Sequence, residues 1–255
     1  RILSPTAVVA IRGMARDVRA ELWSNPFATP VYTAQDRGFR EGVVSAIATV
    51  EQPSRTLRFG GDFRVIDVNE EFLFAQTGVP SDRAYRFRSS RAGKDASLFI
   101  DQQIRQGDLT FRAGVRMDHY RMLVQETAIS PRLSMGYYWR QAGILIHAAY
   151  DRVFQTPAIE NLLLSSDAAG QGLPGIEGFL PVPPSHGNFY EFGVRRSFGN
   201  WVRIQATQYW REFENFADDD VFLNTGISLP ISFRSARVRG TEARIEMPVR
   251  RGFSV

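Results

Sequence analysis

The chain has 255 residues, with 31 Lys and Arg against 27 Asp and Glu, a net charge of +4 and no cysteine. The lack of cysteine excludes disulfide bonds, thiolate metal sites and cysteine nucleophiles. The arginines are spread over alternating positions instead of being clustered, which argues against nucleic-acid binding. No stretch approaches the about 20 apolar residues that a membrane-spanning helix needs.

Ten stretches of alternating polar and apolar residues follow one another along the chain. This period of two predicts strands that have one apolar and one polar face. In chain order, the predicted strands are 6–19, 38–50, 55–74, 94–105, 109–121, 128–140, 142–154, 187–198, 201–214 and 231–247, and a further strand is expected to begin near Phe253.

The fifth stretch, 109–121, has the clearest pattern. Its apolar face would carry Leu109, Phe111, Ala113, Val115 and Met117. Its polar face would carry Thr110, Arg112, Gly114, Arg116 and Asp118. The last stretch, 231–247, is less regular, because Arg237 and Arg239 share a parity with Ile245. A β-bulge or a short lipid-facing span is therefore expected there.

The predicted connections alternate in length. The short ones are 51–54, 106–108, 141, 199–200 and 248–252, and the long ones are 20–37, 75–93, 122–127, 155–186 and 215–230. Outer-membrane β-barrels have tight turns at one end, long loops at the other, and strands long enough for a tilted crossing. A soluble sandwich or propeller is the alternative, but strands there have a usual length of only about 5–6 residues.

Six short sequences, in chain order, resemble strands of TonB-dependent receptors. They are RTLRFGGDFR at 55–64, ASLFIDQQIR with LTFRAGVRMD at 96–105 and 109–118, SPRLS at 130–134, YDRVFQTPAIEN at 150–161, YEFGV at 190–194 and RGTE at 239–242. The resemblance implies an all-β fold, an antiparallel transmembrane β-barrel of which this chain supplies about ten of 22 strands. Residues 1–255 would then be part of the barrel domain, without the plug domain that closes such barrels.

The resemblance also implies a function. Such receptors lie in the outer membrane of Gram-negative bacteria and import scarce nutrients such as siderophores, cobalamin or glycans. Energy reaches them from the TonB–ExbB–ExbD complex through the plug domain. The expected partners are therefore outer-membrane lipid, the plug of the same full-length chain, TonB–ExbB–ExbD and a small-molecule or glycan ligand, with no cofactor and no enzyme activity. The alternatives are an outer-membrane barrel enzyme (a lipase or protease) and a secreted, soluble glycan-binding β-protein.

Strand parity and loop position give two sets of candidate site residues. The set expected to face the lumen or the plug is Arg58, Asp62, Arg64, Arg112, Arg116, Asp118, Glu191, Arg195, Arg203 and Arg211. Ion-pair ladders within the wall are the alternative role for these charges. The set expected to contact substrate is Trp23, Phe27, Tyr85, Phe179, Phe213 and Phe216, and packing within the loops is the alternative there.

The histidines offer no metal site by sequence. His119, His147 and His186 are scattered over two predicted strands and one loop, whereas a metal centre needs several ligands at a suitable spacing. We therefore predict neither a metal site nor a catalytic residue.

Overall fold

The computed structural model describes residues 2–4, 6–25, 31–76, 84–159, 162–167, 181–199, 201–221 and 228–247. In this part of the chain, eleven antiparallel strands form one sheet, in which each strand pairs with its neighbours in sequence order. The strands are β1 Ile2–Ser4, β2 Ala7–Trp23, β3 Val31–Gln52, β4 Arg55–Gln76, β5 Tyr85–Gln106, β6 Leu109–Arg121, β7 Gln125–Trp139, β8 Ile144–Gln155, β9 Ser185–Phe198, β10 Val202–Val221 and β11 Ser228–Glu246. One short helix, α1 Leu162–Asp167, lies between β8 and β9.

The prediction of an all-β, antiparallel fold is confirmed, and each of the ten predicted strands is present as one of β2 to β11. Several details of the prediction were wrong, and β3, β5 and β10 extend seven to nine residues further toward the long connections than predicted. β1 and α1 were not predicted, and the connection 122–127 was counted as long although only residues 122–124 separate β6 from β7. The strand expected near Phe253 and the turn 248–252 lie outside the described residues.

The connections alternate between the two ends of the sheet and, apart from the short 122–124, they differ in length as predicted. The turns at 53–54, 107–108 and 140–143 and the strand ends next to Gly199 and Trp201 lie at one end of the sheet, which we call the turn end. Gly107, Gly143 and Gly199 adopt positive φ there, a conformation that costs glycine little. The strand ends that border residues 24–30, 77–84, 122–124, 156–184 and 222–227 lie at the opposite end, the loop end.

Helix α1 shows which face of the sheet is concave. It contacts both β4 and β5 and also β11, strands that are far apart in the sheet order. One short helix can reach all three only from inside the curve of the sheet. Because the buried Glu70 of β4 accepts hydrogen bonds from the amides of Leu163 and Leu164, Glu70 points into the concave side.

Directly opposed residues of neighbouring strands share a face, so the cross-strand register shows which residues of the other strands lie on the concave side with Glu70. Even-numbered residues of β4, β6 and β7 and odd-numbered residues of β5, β8, β9 and β10 lie on the face of Glu70. The pairing of β10 with β11 keeps one register from Arg203↔Glu246 to Glu214↔Ser235, so the bulge considered for β11 is not formed. Arg237 and Arg239 therefore share the convex face with Ile245.

An apolar band covers the convex face next to the turn end. On β4 it extends over residues 57–65 and on β6 over 109–117, close to the about 9–11 residues of a tilted membrane crossing. Several of its side chains are largely exposed, including Leu98 at 61% and Ile129 at 61%. The convex apolar residues of the central strands are Leu57, Phe59, Phe63, Val65, Leu98, Ile100, Ile104, Leu109, Phe111, Val115, Met117, Ile129, Leu133, Met135 and Tyr137.

The polarity of the two faces reverses toward the loop end. On β4 the convex residues become Asp67, Asn69 and Glu71, all exposed, while Val68 and Phe72 are buried on the concave side. α1 and its neighbours pack against this concave apolar surface. The resulting core consists of Ile66, Val68, Phe72, Phe87, Leu163 and Leu164, with Phe39, Phe74, Tyr85, Met122, Leu123 and Ile159 packed around it.

Among the described residues, no helix has the length and apolar character needed to cross a membrane.

Candidate functional site

The concave face next to the turn end is the candidate functional surface, because it gathers charged side chains from most strands of the sheet. All ten residues of the lumen-facing set share this face with Glu70 in the register of the strands. Their contact with a plug or a substrate stays a prediction. Their contacts within the wall fall into four groups.

The first group joins β2 to β5. Glu41 on β3 is buried and receives the Nε of Arg16 at 2.5 Å, while a terminal nitrogen of Arg64 lies 3.8 Å from its other carboxylate oxygen. Arg64 Nε also donates to Asp95 Oδ2 at 2.6 Å. Because two arginines and two acids alternate over four strands, this part of the wall is close to neutral.

The second group lies one step further along the sheet. Ser97 Oγ donates to Asp62 Oδ2 at 2.9 Å, and Arg116 lies 3.5 Å from the same carboxylate. Arg116 Nε also donates to Asp118 Oδ1 at 2.8 Å. Two of the three acids of the predicted lumen set, Asp62 and Asp118, are therefore already partnered within the sheet.

The third group is rich in arginine. Asp101 on β5 is only 7% exposed and accepts the Nε of Arg112 on both oxygens at 2.8 Å. Arg58 lies directly opposite Asp101 in the register. A small cavity of about 140 Å³ is lined by Arg58, Asp101, Arg112, Arg116 and Arg132. Four guanidinium groups near one buried carboxylate make this position attractive to an anion.

The fourth group covers β8 to β11. His147 Nε2 lies 3.2 Å from Glu191 Oε1, and Arg203 donates to Glu246 at 2.9 Å. Arg195 is opposite Gln205 on β10. The guanidinium carbon of Arg211 lies 4.9 Å from the ring centre of Tyr209 and 5.4 Å from that of Phe189, distances at which cation–π attraction operates.

The predicted substrate-contacting aromatics do not converge on one place. Trp23 is 67% exposed on the convex face, opposite Ala34. Tyr85 instead packs against the concave core, and burial raises the pKa of its phenol. Phe213 and Phe216 do meet, with ring centres 5.1 Å apart. Phe27 and Phe179 lie outside the described residues.

Two features of the concave face were missed by sequence reasoning. Phe189 stacks edge-on against Phe213 at 5.2 Å, which extends the aromatic pair to three rings. It has the parity of Glu191 on β9, so strand parity could have identified it. Glu70 was missed because its partners are amides of α1, a helix that the sequence pattern did not predict.

Two glycines of the sheet lie where a neighbouring strand approaches very closely. A Cβ on Gly60 would lie 2.3 Å from the carbonyl oxygen of Ala46 on β3, and a Cβ on Gly193 would lie 2.2 Å from the ring of His147. Such a contact with the backbone excludes any side chain at Gly60, whereas a side chain at Gly193 would require the His147 ring to move. At these two positions the wall itself supplies a reason for glycine.

The histidines bind neighbouring side chains separately. His119 Nδ1 lies 2.8 Å from Thr127 Oγ1, and His186 Nε2 lies 2.5 Å from Glu126 Oε1. Within the described ranges, no three His, Cys, Asp or Glu side chains are grouped as a metal site would require.

Comparison with known proteins places this architecture in a family. Residues 14–254 match the family model described as TonB dependent receptor-like, beta-barrel. No curated protein matches the chain by sequence. Among solved structures, the copper transporter OprC is similar with a TM-score of 0.71 and 11% identity, over 98% of this chain and 42% of that one.

Two further structures are similar to the same degree. The ferric yersiniabactin uptake receptor FyuA from Yersinia pestis gives a TM-score of 0.71 at 12% identity, over 97% of this chain and 38% of that one. The ferric citrate transporter FecA gives a TM-score of 0.67 at 15% identity, over 96% and 37%. The chain thus spans less than half of each of these proteins, and it belongs to the family of TonB-dependent receptor-like β-barrels.

Proposed function

We propose that this chain forms part of the wall of an outer-membrane β-barrel that imports a scarce nutrient with energy supplied through TonB. The observation that carries the proposal is the arrangement of the two faces, an exposed apolar band outside and a charged wall inside. A soluble sheet would bury its apolar face, because large exposed apolar patches are rare on soluble proteins. A barrel wall in lipid requires the opposite arrangement.

Aromatic side chains support the membrane location. Tyr190 and Trp210 are directly opposed on the convex face where the band ends toward the loops. At the turn end, Trp139 and Phe198 are the last residues of β7 and β9, Trp201 directly precedes β10, and all three are exposed. Outer-membrane barrels carry such aromatic girdles at both interfaces, where one part of the ring meets lipid and the other meets water.

The charged concave wall supports the expected partners. A polar plug domain of the full-length receptor would find arginine and carboxylate groups along β2 to β7, and TonB–ExbB–ExbD would act through that plug. The arginine-rich cavity around Asp101 suits an anionic group of the plug or of the ligand.

The substrate class follows less directly. Siderophores, cobalamin and glycans all fit the general architecture. The similar structures are named as transporters of copper, ferric citrate and ferric yersiniabactin, so metal complexes are the first substrates to test. The family consists of transporters, which gives the barrel-enzyme alternative no support.

The test uses the complete gene that encodes this chain. The gene is deleted from its host and the strain is supplied with ferric siderophores, cobalamin or oligosaccharides under limitation. We expect the uptake of one labelled substrate to be lost, restored by the intact gene and abolished again when tonB is deleted. Uptake that does not depend on tonB would refute the proposal. Folding of the full-length protein in buffer without detergent would favour the soluble glycan-binding alternative.

A further inference from the structure

We propose that Lys94 and Arg121, on the convex face, bind the phosphate group of a lipid headgroup at the loop end of the apolar band. The inference rests on the proposed outer-membrane location and adds to it a specific lipid-binding position.

The two cations are held side by side without an anion. Lys94 on β5 and Arg121 on β6 are directly opposed in the register, and both are exposed. Among the described residues, neither side chain forms a hydrogen bond or ion pair. Like charges in opposed positions destabilise a strand pair, and an anionic ligand bound between them would relieve this repulsion.

Neighbouring arginines on the same face are neutralised in a different way. Arg40 donates to Asp17 at 2.9 Å and Arg88 lies 2.9 Å from Glu71, each within a cross-strand ion pair. Asp67 lies on the same face but is opposite Ala92, so neither Lys94 nor Arg121 has a carboxylate directly opposite it. The wall therefore leaves two positive charges available at this height.

The pair lies where a headgroup would be. The next convex residue of β5 toward the turn end is Ala96, followed by the exposed Leu98. On β6 the convex residues that follow Arg121 toward the turn end are His119 and then Met117, which lies in the apolar band. Lipid acyl chains against the band would place their phosphates beside Lys94 and Arg121, near the loop end of the sheet.

A shallow groove leads to the same position. Ala15, Gly42 and Val65 are opposed in successive strands and continue the row that ends in Lys94 and Arg121. A groove of about 640 Å³ follows this row and is also lined by Ala92, Lys94 and the charged Asp17, Arg40 and Asp67. The groove offers room for the sugar or glycerol part of a lipid, while ammonium and guanidinium groups supply charge-assisted hydrogen bonds to the phosphate.

The test compares two charge-matched double variants of the full-length receptor in neutral detergent. K94Q/R121Q removes the proposed site, and R86Q/R88Q removes two cations of β5 that are further from the band. Binding of diphosphoryl lipid A and of its dephosphorylated form is measured by native mass spectrometry. We expect K94Q/R121Q to bind diphosphoryl lipid A about tenfold more weakly than wild type, since each cation near an anionic surface contributes to affinity. R86Q/R88Q and the conservative R121K should bind it as wild type does.

Three outcomes would overturn the proposal. They are equal binding of diphosphoryl lipid A by K94Q/R121Q and R86Q/R88Q, equal binding of the two lipid forms by wild type, and displacement of the lipid by inorganic phosphate at a similar concentration. Heat-modified migration in gels checks that each variant is folded. Substrate uptake is measured in the same strains. If the wild type takes up substrate but shows none of the expected lipid binding, only this inference is overturned. If the wild type shows no TonB-dependent uptake, the proposed function is overturned.

Discussion

Glu70 holds the connection between β8 and β9 inside the concave side of the sheet, and its removal gives the sharpest prediction. Its carboxylate accepts the amide of Leu163 at 3.1 Å and that of Leu164 at 2.8 Å, and the residue is only 3% exposed. Both leucines are buried against the core. In Glu70→Gln the side chain keeps its shape, but one acceptor oxygen becomes an NH₂ group that faces an amide N–H.

The magnitude follows from the hydrogen bonds. A hydrogen bond to a charged group contributes about 1.5–3 kcal/mol, and an unsatisfied buried donor costs about 1–3 kcal/mol. We therefore expect Glu70→Gln to lower the local stability of α1 by about 2 kcal/mol, which corresponds to a roughly 30-fold larger population of the open segment and correspondingly faster hydrogen exchange. The measurement is amide hydrogen exchange of the full-length protein in detergent, followed in the peptide that contains Leu163 and Leu164.

Glu71→Gln is the matched control. Glu71 is the next residue along β4, points to the convex face and pairs with Arg88 at 2.9 Å with both side chains well exposed. Exposed ion pairs contribute about 0–1 kcal/mol, so exchange at α1 should be unchanged in this variant. Unchanged exchange in Glu70→Gln, or an equal increase in both variants, would refute the role of the buried carboxylate.

Three further predictions test the wall. A spin label at Val115 should be relaxed by a lipid-soluble quencher and one at Arg116 should not, because the two residues lie on opposite faces; the reverse accessibility would show that the register is wrong by one residue. Gly60→Ala should lower the unfolding free energy of the full-length protein, measured by urea denaturation, by about 1–3 kcal/mol, since its Cβ would lie 2.3 Å from a β3 carbonyl. Gly136→Ala, with 3.8 Å to its nearest neighbour, should be nearly neutral. Similar losses in both variants would contradict the steric argument. The 255-residue chain expressed alone should show no TonB-dependent uptake in a receptor-deleted strain, because β1 and β11 are unpaired edges in the described sheet and each unpaired backbone group costs several kcal/mol in lipid; energy-dependent transport by this chain alone would contradict that reasoning.

The strands near the turn end could be predicted from the sequence because one rule governs them. Lipid outside and polar groups inside impose strict alternation, so a stretch such as 109–121 reveals both its strand and its two faces. The segregation of connections follows from the same reading, since consecutive antiparallel strands must alternate their ends. The lumen-facing set shares one face for this reason, although its ligands stay a prediction.

Only the tertiary structure decided what happens at the loop end. There the convex face meets water, as at Asp67 and Glu71, and the apolar side chains of Val68, Phe72 and Phe87 turn inward. A prediction that expects every apolar residue to face lipid does not recognise these parts of the strands. For this reason β5 was predicted to begin at residue 94, although it begins at Tyr85. The inward apolar surface is stable because α1 folds back onto it and Glu70 holds the amides of that helix. Alternation within one strand cannot reveal a partner that lies some 90 residues away in sequence and reaches it across the concave side.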